Sequence, residues 1–315
     1  MSVAWHARQR GLDVLVLDAA FAGAATPASA GVLWPLEALQ PDSPYWPWLE
    51  EALPLWADWP QRAGLASEAV GFTHPGLLRL DAHPGELRRG ERWREARESC
   101  PAGGWVEQAR RISPADWQQA LRGALQDMGV GLMHGRLEAL PSSSVAEVGE
   151  GVAFGRMVLA TGAWPIAGMP AGLKLCPVRG QMLELELQRP WEGPVLHDGE
   201  VYLLPVSGTC AWLGATLETV GYEATVSSAA RTQLEESASR IRQIVGPWVV
   251  RKQWAGLRPR AGVGEAPVVG CLRTHPHIAM ANGLYRLGLS VSPAVGQKLA
   301  AWAAAEAELP FIGEY

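Results

Sequence analysis

The sequence predicts an α/β protein in which parallel-type strand–helix units flank a run of antiparallel strands. Three observations predict it. Asp13-Val14-Leu15-Val16-Leu17-Asp18 is a continuous apolar run, the mark of a strand buried on both faces. Leu183, Leu185 and Leu187 alternate with Glu184 and Glu186, the mark of an antiparallel strand with one wet face. Helical patterns with clear start signals separate these regions, so the expected layout is discontinuous: residues 1–42, 125–172 and 262–315 form one domain, and 43–124 with 173–261 form the other.

In chain order, residues 2–10 fit a short helix with Val3 and Ala7 on one face and Gly11 as its stop. The Val14–Leu17 strand follows and ends at Asp18. In dinucleotide-binding units an acid sits about 20 residues beyond a glycine-rich turn and holds a ribose hydroxyl, and Asp18 has that position at a strand end. The strand and glycine turn that would precede it are not in the sequence, so the chain reads as opening in the middle of a βαβ unit. An ordinary strand-end carboxylate is the alternative reading of Asp18. Residues 23–35, with Ser29, Ala30 and Gly31, form a small-residue loop whose backbone amides could approach a ligand, or a plain connector.

Residues 44–64 are rich in Trp and Pro and partly helical. Trp46, Trp48, Trp56 and Trp59 among 15 tryptophans read as core and lid residues, with an aromatic wall over a flat cofactor as the alternative. Residues 76–80 read as a strand and 85–98 as a charged surface helix. Ser113-Pro114 starts a helix with Trp117, Leu121, Leu125 and Met128 inward and Gly129 at its end. Residues 151–160 read as a strand closing on Thr161-Gly162-Ala163-Trp164, where backbone could meet a flat ligand or simply turn. Alternating strands follow at 181–187, 201–205 and 211–216. A helix at 228–245 carries Leu234, Ala238, Ile241 and Val245 on one side, another strand spans 248–254, and a final helix begins at Ser292-Pro293.

Composition narrows the function. The 315 residues are 48% hydrophobic and 19% charged, a globular balance with room for one large or two ordinary cores. A net charge of −5 argues against a nucleic-acid partner. No apolar run approaches the ~20 residues of a membrane span, and no secretion signal is visible, so a cytoplasmic location is expected. Cys100, Cys176, Cys210 and Cys271 lie far apart without CxxC spacing, which speaks for reduced thiols and against zinc. His275 and His277 lack a nearby acid and read as a surface turn; no metal is expected.

The chemistry concentrates in Tyr202, Arg258 and Arg286. Both arginines lie among glycines and apolar residues, where a cation is costly unless it meets an anion, and a guanidinium fork suits a carboxylate. Tyr202 lies on an alternating strand and can donate to the same group. Each alone has an ordinary structural explanation.

Together with their surroundings they resemble the FAD-dependent D-amino acid oxidase family, glycine oxidase-like in particular. Tyr202-Leu203-Leu204-Pro205 with Gly214-Ala215-Thr216 is similar to its substrate-strand motif, Pro177–Gln181 to the strand entering the substrate domain, and Trp254–Pro259 to its carboxylate-arginine motif. Gly283-Leu284-Tyr285-Arg286-Leu287-Gly288 resembles the turn beside the flavin. The resemblance implies a Rossmann-like FAD-binding domain, incomplete at its N-terminus, and an α+β substrate domain with an antiparallel sheet. It implies Tyr202 and Arg258 on the substrate carboxylate, Arg286 close by, and Asp18, Ser29, Ala30, Gly31, Thr161, Gly162, Trp164, Gly283 and Gly288 around FAD. No general base is assigned, because the implied reaction is oxidative deamination of glycine, sarcosine or a small D-amino acid by hydride transfer to flavin. O2 would be reduced to H2O2, and the reading admits a homo-oligomer. Two further readings stay open: a flavin-free member that binds a small acid or a protein partner, and a flavin dehydrogenase with another acceptor. Leu284, Leu287 and Val206 depart from the family's polar residues and make the expected pocket more apolar.

Overall fold

The computed structural model describes residues 1–33, 42–97, 100–146, 151–170, 172–261 and 266–312. Its dominant element is an eight-stranded mixed sheet. The strand order is Trp248–Ala261, Leu175–Leu187, Cys210–Gly214, Val201–Ser207, Val195–Asp198, Leu77–Arg79, Gly103–Val106, Arg92–Arg94. All neighbours are antiparallel except Val195–Asp198 beside Leu77–Arg79. The alternation at 183–187 works as expected: Leu183, Leu185 and Leu187 are buried against Leu234, Ala238, Ile241 and Val245. Leu234 lies in helix Ser228–Ser237, Ile241 and Val245 in helix Ser239–Val245, and Ala238 at the junction between them, where the sequence suggested one helix. The opposite face, with Met182, Val195, Leu204 and Leu77, packs towards Val291, Val295 and Leu299 of the last helix.

The parallel elements form two further sheets. Leu15–Asp18 pairs with Gly131–His134, the strand reached through helix Pro114–Asp127. Met157–Leu159 pairs with His275–Asn282, which continues to Val268–Leu272 and Phe311–Ile312. Helix Gly288–Ala303 packs on helices Ser2–Gln9 and Trp46–Arg62. The approach to the first is so close that a β-carbon on Gly296 would lie 2.1 Å from Ser2 Oγ. Trp56 and Trp59 are core residues, their rings 5.1 Å apart and in contact with Trp117.

Several sequence expectations are corrected. The charged stretch at 85–97 is not a helix but turns and the short strand Arg92–Arg94; residue 98 lies outside the described residues. The cause is Glu91, whose side chain is fully buried on Arg79 (Nε–Oε1 2.8 Å) and also accepts the Arg88 backbone N–H at 2.7 Å. A surface helix would have held that carboxylate in water. The last helix begins at Gly288, so Ser292-Pro293 lies inside it. Trp56 Nε1 donates to the Ser290 carbonyl and Ser2 Oγ to the Ser292 carbonyl, so side chains of other helices reach the backbone where the proline interrupts. Residues 151–160 are two short strands, Val152–Ala153 and Met157–Leu159, with Gly155 between them. The loop at 23–33 contains a helical turn, Ala25–Ala28, and the strand Val32–Leu33; residues 34 and 35 lie outside the described residues. Residues 262–265, at an expected domain boundary, do so as well.

Candidate active site

One face of the large sheet forms the floor of a single cavity of about 1640 Å³. Drug-sized sites enclose ~300–1,000 Å³, so this space is large enough for a cofactor and a substrate together. Gly180, Met182, His197, Tyr202, Gly256 and Arg258 contribute from the sheet. The 24–32 segment, residues 158–162 and helix Gly288–Ala303 supply other walls. Asp18, Phe21, Arg136 and Trp164 line it too.

Arg258 is positioned by its strand. Its Nη1 donates to the Thr216 carbonyl at 3.0 Å. Its guanidinium lies across Gly180, two positions along the neighbouring strand on the same face, where a β-carbon would come within 2.1–2.2 Å of three guanidinium atoms. Any other residue at 180 would occupy the guanidinium's space. The Thr216 carbonyl is itself held from beneath: Gln181 N–H donates to Thr216 Oγ1 at 2.9 Å, and Thr216 Oγ1 donates to Glu218 at 2.5 Å. Arg179 grips the same carboxylate at 2.6 Å. Burial alone would raise the Glu218 carboxyl, but the bonds from Arg179, Thr216 and Gln181 outweigh it and hold its pKa below the ordinary value.

Arg286 follows Tyr285, a non-glycine residue at φ +46° whose N–H donates to the Pro259 carbonyl at 2.9 Å. A backbone hydrogen bond thus ties the Arg286 turn to the residue directly after Arg258. Tyr202 lies across the ladder from His197, and its hydroxyl is 3.8 Å from Met182 Sδ. His197 is 7% exposed. Burial, then the nearby cations Arg286, Arg88 and Arg79, push its pKa down to about 3, so its ring is neutral at physiological pH.

The remaining sequence candidates fall as follows. Ser29, Ala30, Gly31, Thr161, Gly162, Trp164 and Gly288 all line the cavity. Gly31, at φ +77°, leaves no room for a side chain, since a β-carbon would meet the Ile112 carbonyl at 1.9 Å. Gly288 lies in the first turn of its helix instead of in a free loop. Gly283 does not line the cavity; its carbonyl accepts from Tyr45 Oη and its N–H donates to Asn282 Oδ1. Asp18 lines it with both oxygens engaged: one accepts the Ala20 N–H at 2.9 Å, the other Arg122 at 2.8 Å. Trp164 stacks on Phe21 at 4.6 Å, and Arg136 lies over the outer ring. His275 and His277 stand at the start of a strand, and no group of metal-ligating residues occurs among the described residues.

Sequence reasoning missed Gly180, His197 and Asn282. Asn282 is buried and joins two cavity segments, donating to Thr161 Oγ1 at 3.1 Å while capping Gly283. The Asn-Gly dipeptide was its one visible signal. Nothing in the local sequence marked Gly180 or His197, because their importance comes from strand register.

Comparison with known proteins accords with this architecture. The family described as FAD dependent oxidoreductase (DAO) matches residues 1–302. The bifunctional protein ThiO/ThiG of Nostoc sp. is 26% identical over 93% of this chain and 49% of its own length. Glycine oxidase of Pseudomonas putida is 31% identical over 45% of this chain and 40% of its own. The chain spans about half the length of the curated relatives it matches. Among solved structures, glycine oxidase from Geobacillus kaustophilus matches with a TM-score of 0.84 at 20% identity, covering 100% of this chain and 95% of that one. Iminodiacetate oxidase from Chelativorans sp. gives 0.83 at 19%, covering 98% and 94%.

Proposed function

The chain belongs to the DAO family of FAD-dependent oxidoreductases, and from that premise we propose that it oxidises a small amino acid: glycine, sarcosine or a small D-amino acid, with O2 as the electron acceptor. FAD is the cofactor. The residues present fit it. The cavity is continuous from Asp18 to Arg258, far larger than a small acid needs, and lined by small residues at 29–31 and 160–162. In this reading Asp18 contacts the adenosine ribose, while Ser29, Ala30, Gly31, Thr161, Gly162, Trp164 and Gly288 line the flavin dinucleotide. Residues 1–42, 125–172 and 262–315 form the cofactor domain, and the rest the substrate domain. When bound, FAD supplies the two-electron acceptor.

The chain's own residues supply position and environment. Arg258, fixed by the Thr216 carbonyl and the Gly180 backbone, presents donors to the substrate carboxylate, with Arg286 beside it and the Tyr202 hydroxyl across the floor. Holding the carboxylate at a fixed site fixes where the α-carbon lies, and such orientation supplies several kcal/mol of a barrier. Met182, Leu284 and the helix around Val295 line this space with apolar surface, which excludes water and strengthens the ion pair. No side chain is required as a general base once the amine is bound neutral.

The observation that carries the reading is the gathering of Tyr202, Arg258 and Arg286 in one cavity with the family's cofactor-lining segments. The test is hydrogen peroxide release from glycine, sarcosine and D-alanine by protein supplied with FAD. Arg258→Ala should lose at least about a hundredfold in kcat/KM, the scale of a bidentate charged contact. Equal turnover by the variant would reject the carboxylate role.

A further inference from the structure

Arg258 leans on two surfaces, the Thr216 carbonyl and the backbone at Gly180. Both lead to one carboxylate. Glu218 accepts from Thr216 Oγ1 at 2.5 Å, from Gln181 Nε2 at 2.9 Å and from Arg179 Nη2 at 2.6 Å. Arg179 and Gln181 are the residues on either side of Gly180. Alternation along the strand turns their side chains to the face away from the guanidinium, so Glu218 braces the floor from below. The backbone joins the same two segments. Arg179 N–H donates to the Glu218 carbonyl at 2.8 Å, Glu218 N–H to the Arg179 carbonyl at 3.0 Å, and Thr216 N–H to the Gln181 carbonyl at 3.2 Å. Arg179, Gln181 and Thr216 are buried, and none of the four residues lines the cavity. What they do for a ligand they do through Arg258.

We propose that Glu218 is a positioning residue: its carboxylate ties Thr216 to both neighbours of Gly180 and so fixes the two surfaces that aim the Arg258 guanidinium. The inference rests on the carboxylate role of Arg258 given above and adds the device that sets its direction. The residue type fits. Three donors converge at 218, and an ionised carboxylate only accepts. A glutamine would turn an N–H towards one of those donors and leave a buried polar group without its partner. Glu218 also works against its own charge. A carboxylate behind an anion site repels the anion, so bracing and repulsion have opposite signs.

The probe is acetate, a carboxylate with neither amine nor side chain, titrated calorimetrically into protein supplied with FAD. By charge alone, Glu218→Gln would bind acetate more tightly. Bracing demands the reverse, a loss of about tenfold, within the range for coupled residues of one hydrogen-bond network. In an Arg258→Ala background the loss should shrink to about twofold or less, because the brace then has nothing to aim. Glu223→Gln removes a second carboxylate beside Arg179, 3.7 Å from its Nη1, and should not weaken acetate. Thr216→Val deletes the hydroxyl without changing charge and should lose affinity as Glu218→Gln does. Thr216→Ser keeps the hydroxyl and should stay within about twofold of the parent. One readout needs neither cofactor nor ligand: in the protein alone, the Arg258 Nε–H order parameter should fall in Glu218→Gln and hold in Glu223→Gln. Where Glu218→Gln does not fold, the Thr216 pair decides on the same readouts. Tighter or unchanged acetate binding in Glu218→Gln, an equal loss in the Arg258→Ala background, or an unchanged order parameter overturns the proposal. Acetate binding that ignores Arg258→Ala overturns the carboxylate reading instead, and the order parameter still decides whether Glu218 holds the arginine.

Discussion

The Arg258 guanidinium lies against the Gly180 backbone so closely that a β-carbon there would be 2.1 Å from Nη2. Gly180→Ala therefore acts on the arginine and not on the fold, because the clashing atoms are the far end of a flexible side chain. We expect KM for the proposed amino acid substrate to rise at least about tenfold with a thermal midpoint within a few degrees of the parent protein. Steady-state kinetics with a melting curve checks this, and a parental KM would show that the guanidinium does not need that space.

Glu91 neutralises the Arg79 charge with both side chains buried. Glu91→Gln leaves the buried cation with only the more distant, partly exposed Asp81 at 3.8 Å and should cost about 3 kcal/mol in urea unfolding. The replacement Arg79→Met with Glu91→Leu should cost much less than the single change. The pair also sets an acid limit. Burial would raise the Glu91 carboxyl, but the bonds from Arg79 and the Arg88 N–H prevail and lower it. Its stabilisation is present above the unfolded value near 4.5 and lost as pH falls through the lower folded value.

His6 and His197 make stability pH-dependent from the other side. Burial, then nearby arginines, lowers their pKa values to about 4 and about 3, against 6.5 in the unfolded chain. Below pH 6.5 the unfolded state therefore takes up protons that the folded state refuses, so stability falls as pH falls. Each contributes a slope of about 1.4 kcal/mol per pH unit, ending near 4 for His6 and near 3 for His197. Unfolding free energies between pH 7.5 and 5 test it; His197→Asn should remove that residue's own share, about 1.4 kcal/mol per pH unit below pH 6.5.

Trp164 lines the cavity and stacks on Phe21 at 4.6 Å. Trp164→Ala should weaken FAD about 3- to 10-fold, the scale of one aromatic contact, and leave acetate affinity alone. Fluorescence titration with FAD separates the two, and an unaltered FAD constant would take Trp164 out of the cofactor site.

Legibility in the sequence followed the range of the interaction. Leu183, Leu185 and Leu187 announced their sheet face because alternation is local, and Trp117, Leu121 and Leu125 their helix because its period is local. Tyr202, Arg258 and Arg286 were visible as polar residues in apolar company, and they do line one cavity. The charged stretch at 85–97 misled because Glu91 is satisfied by an arginine twelve residues earlier, a pairing that no helical period encodes. Gly180 and His197 were invisible for a related reason. One owes its importance to a neighbouring strand and the other to the residue opposite it, both set by register alone.

The Tyr285 N–H to Pro259 carbonyl bond clamps the two arginine-bearing segments main chain to main chain. Side-chain exchange elsewhere cannot widen that spacing. Efforts to admit a bulkier ligand should therefore leave the clamp alone and reshape Met182 and Leu284, which line the same chamber.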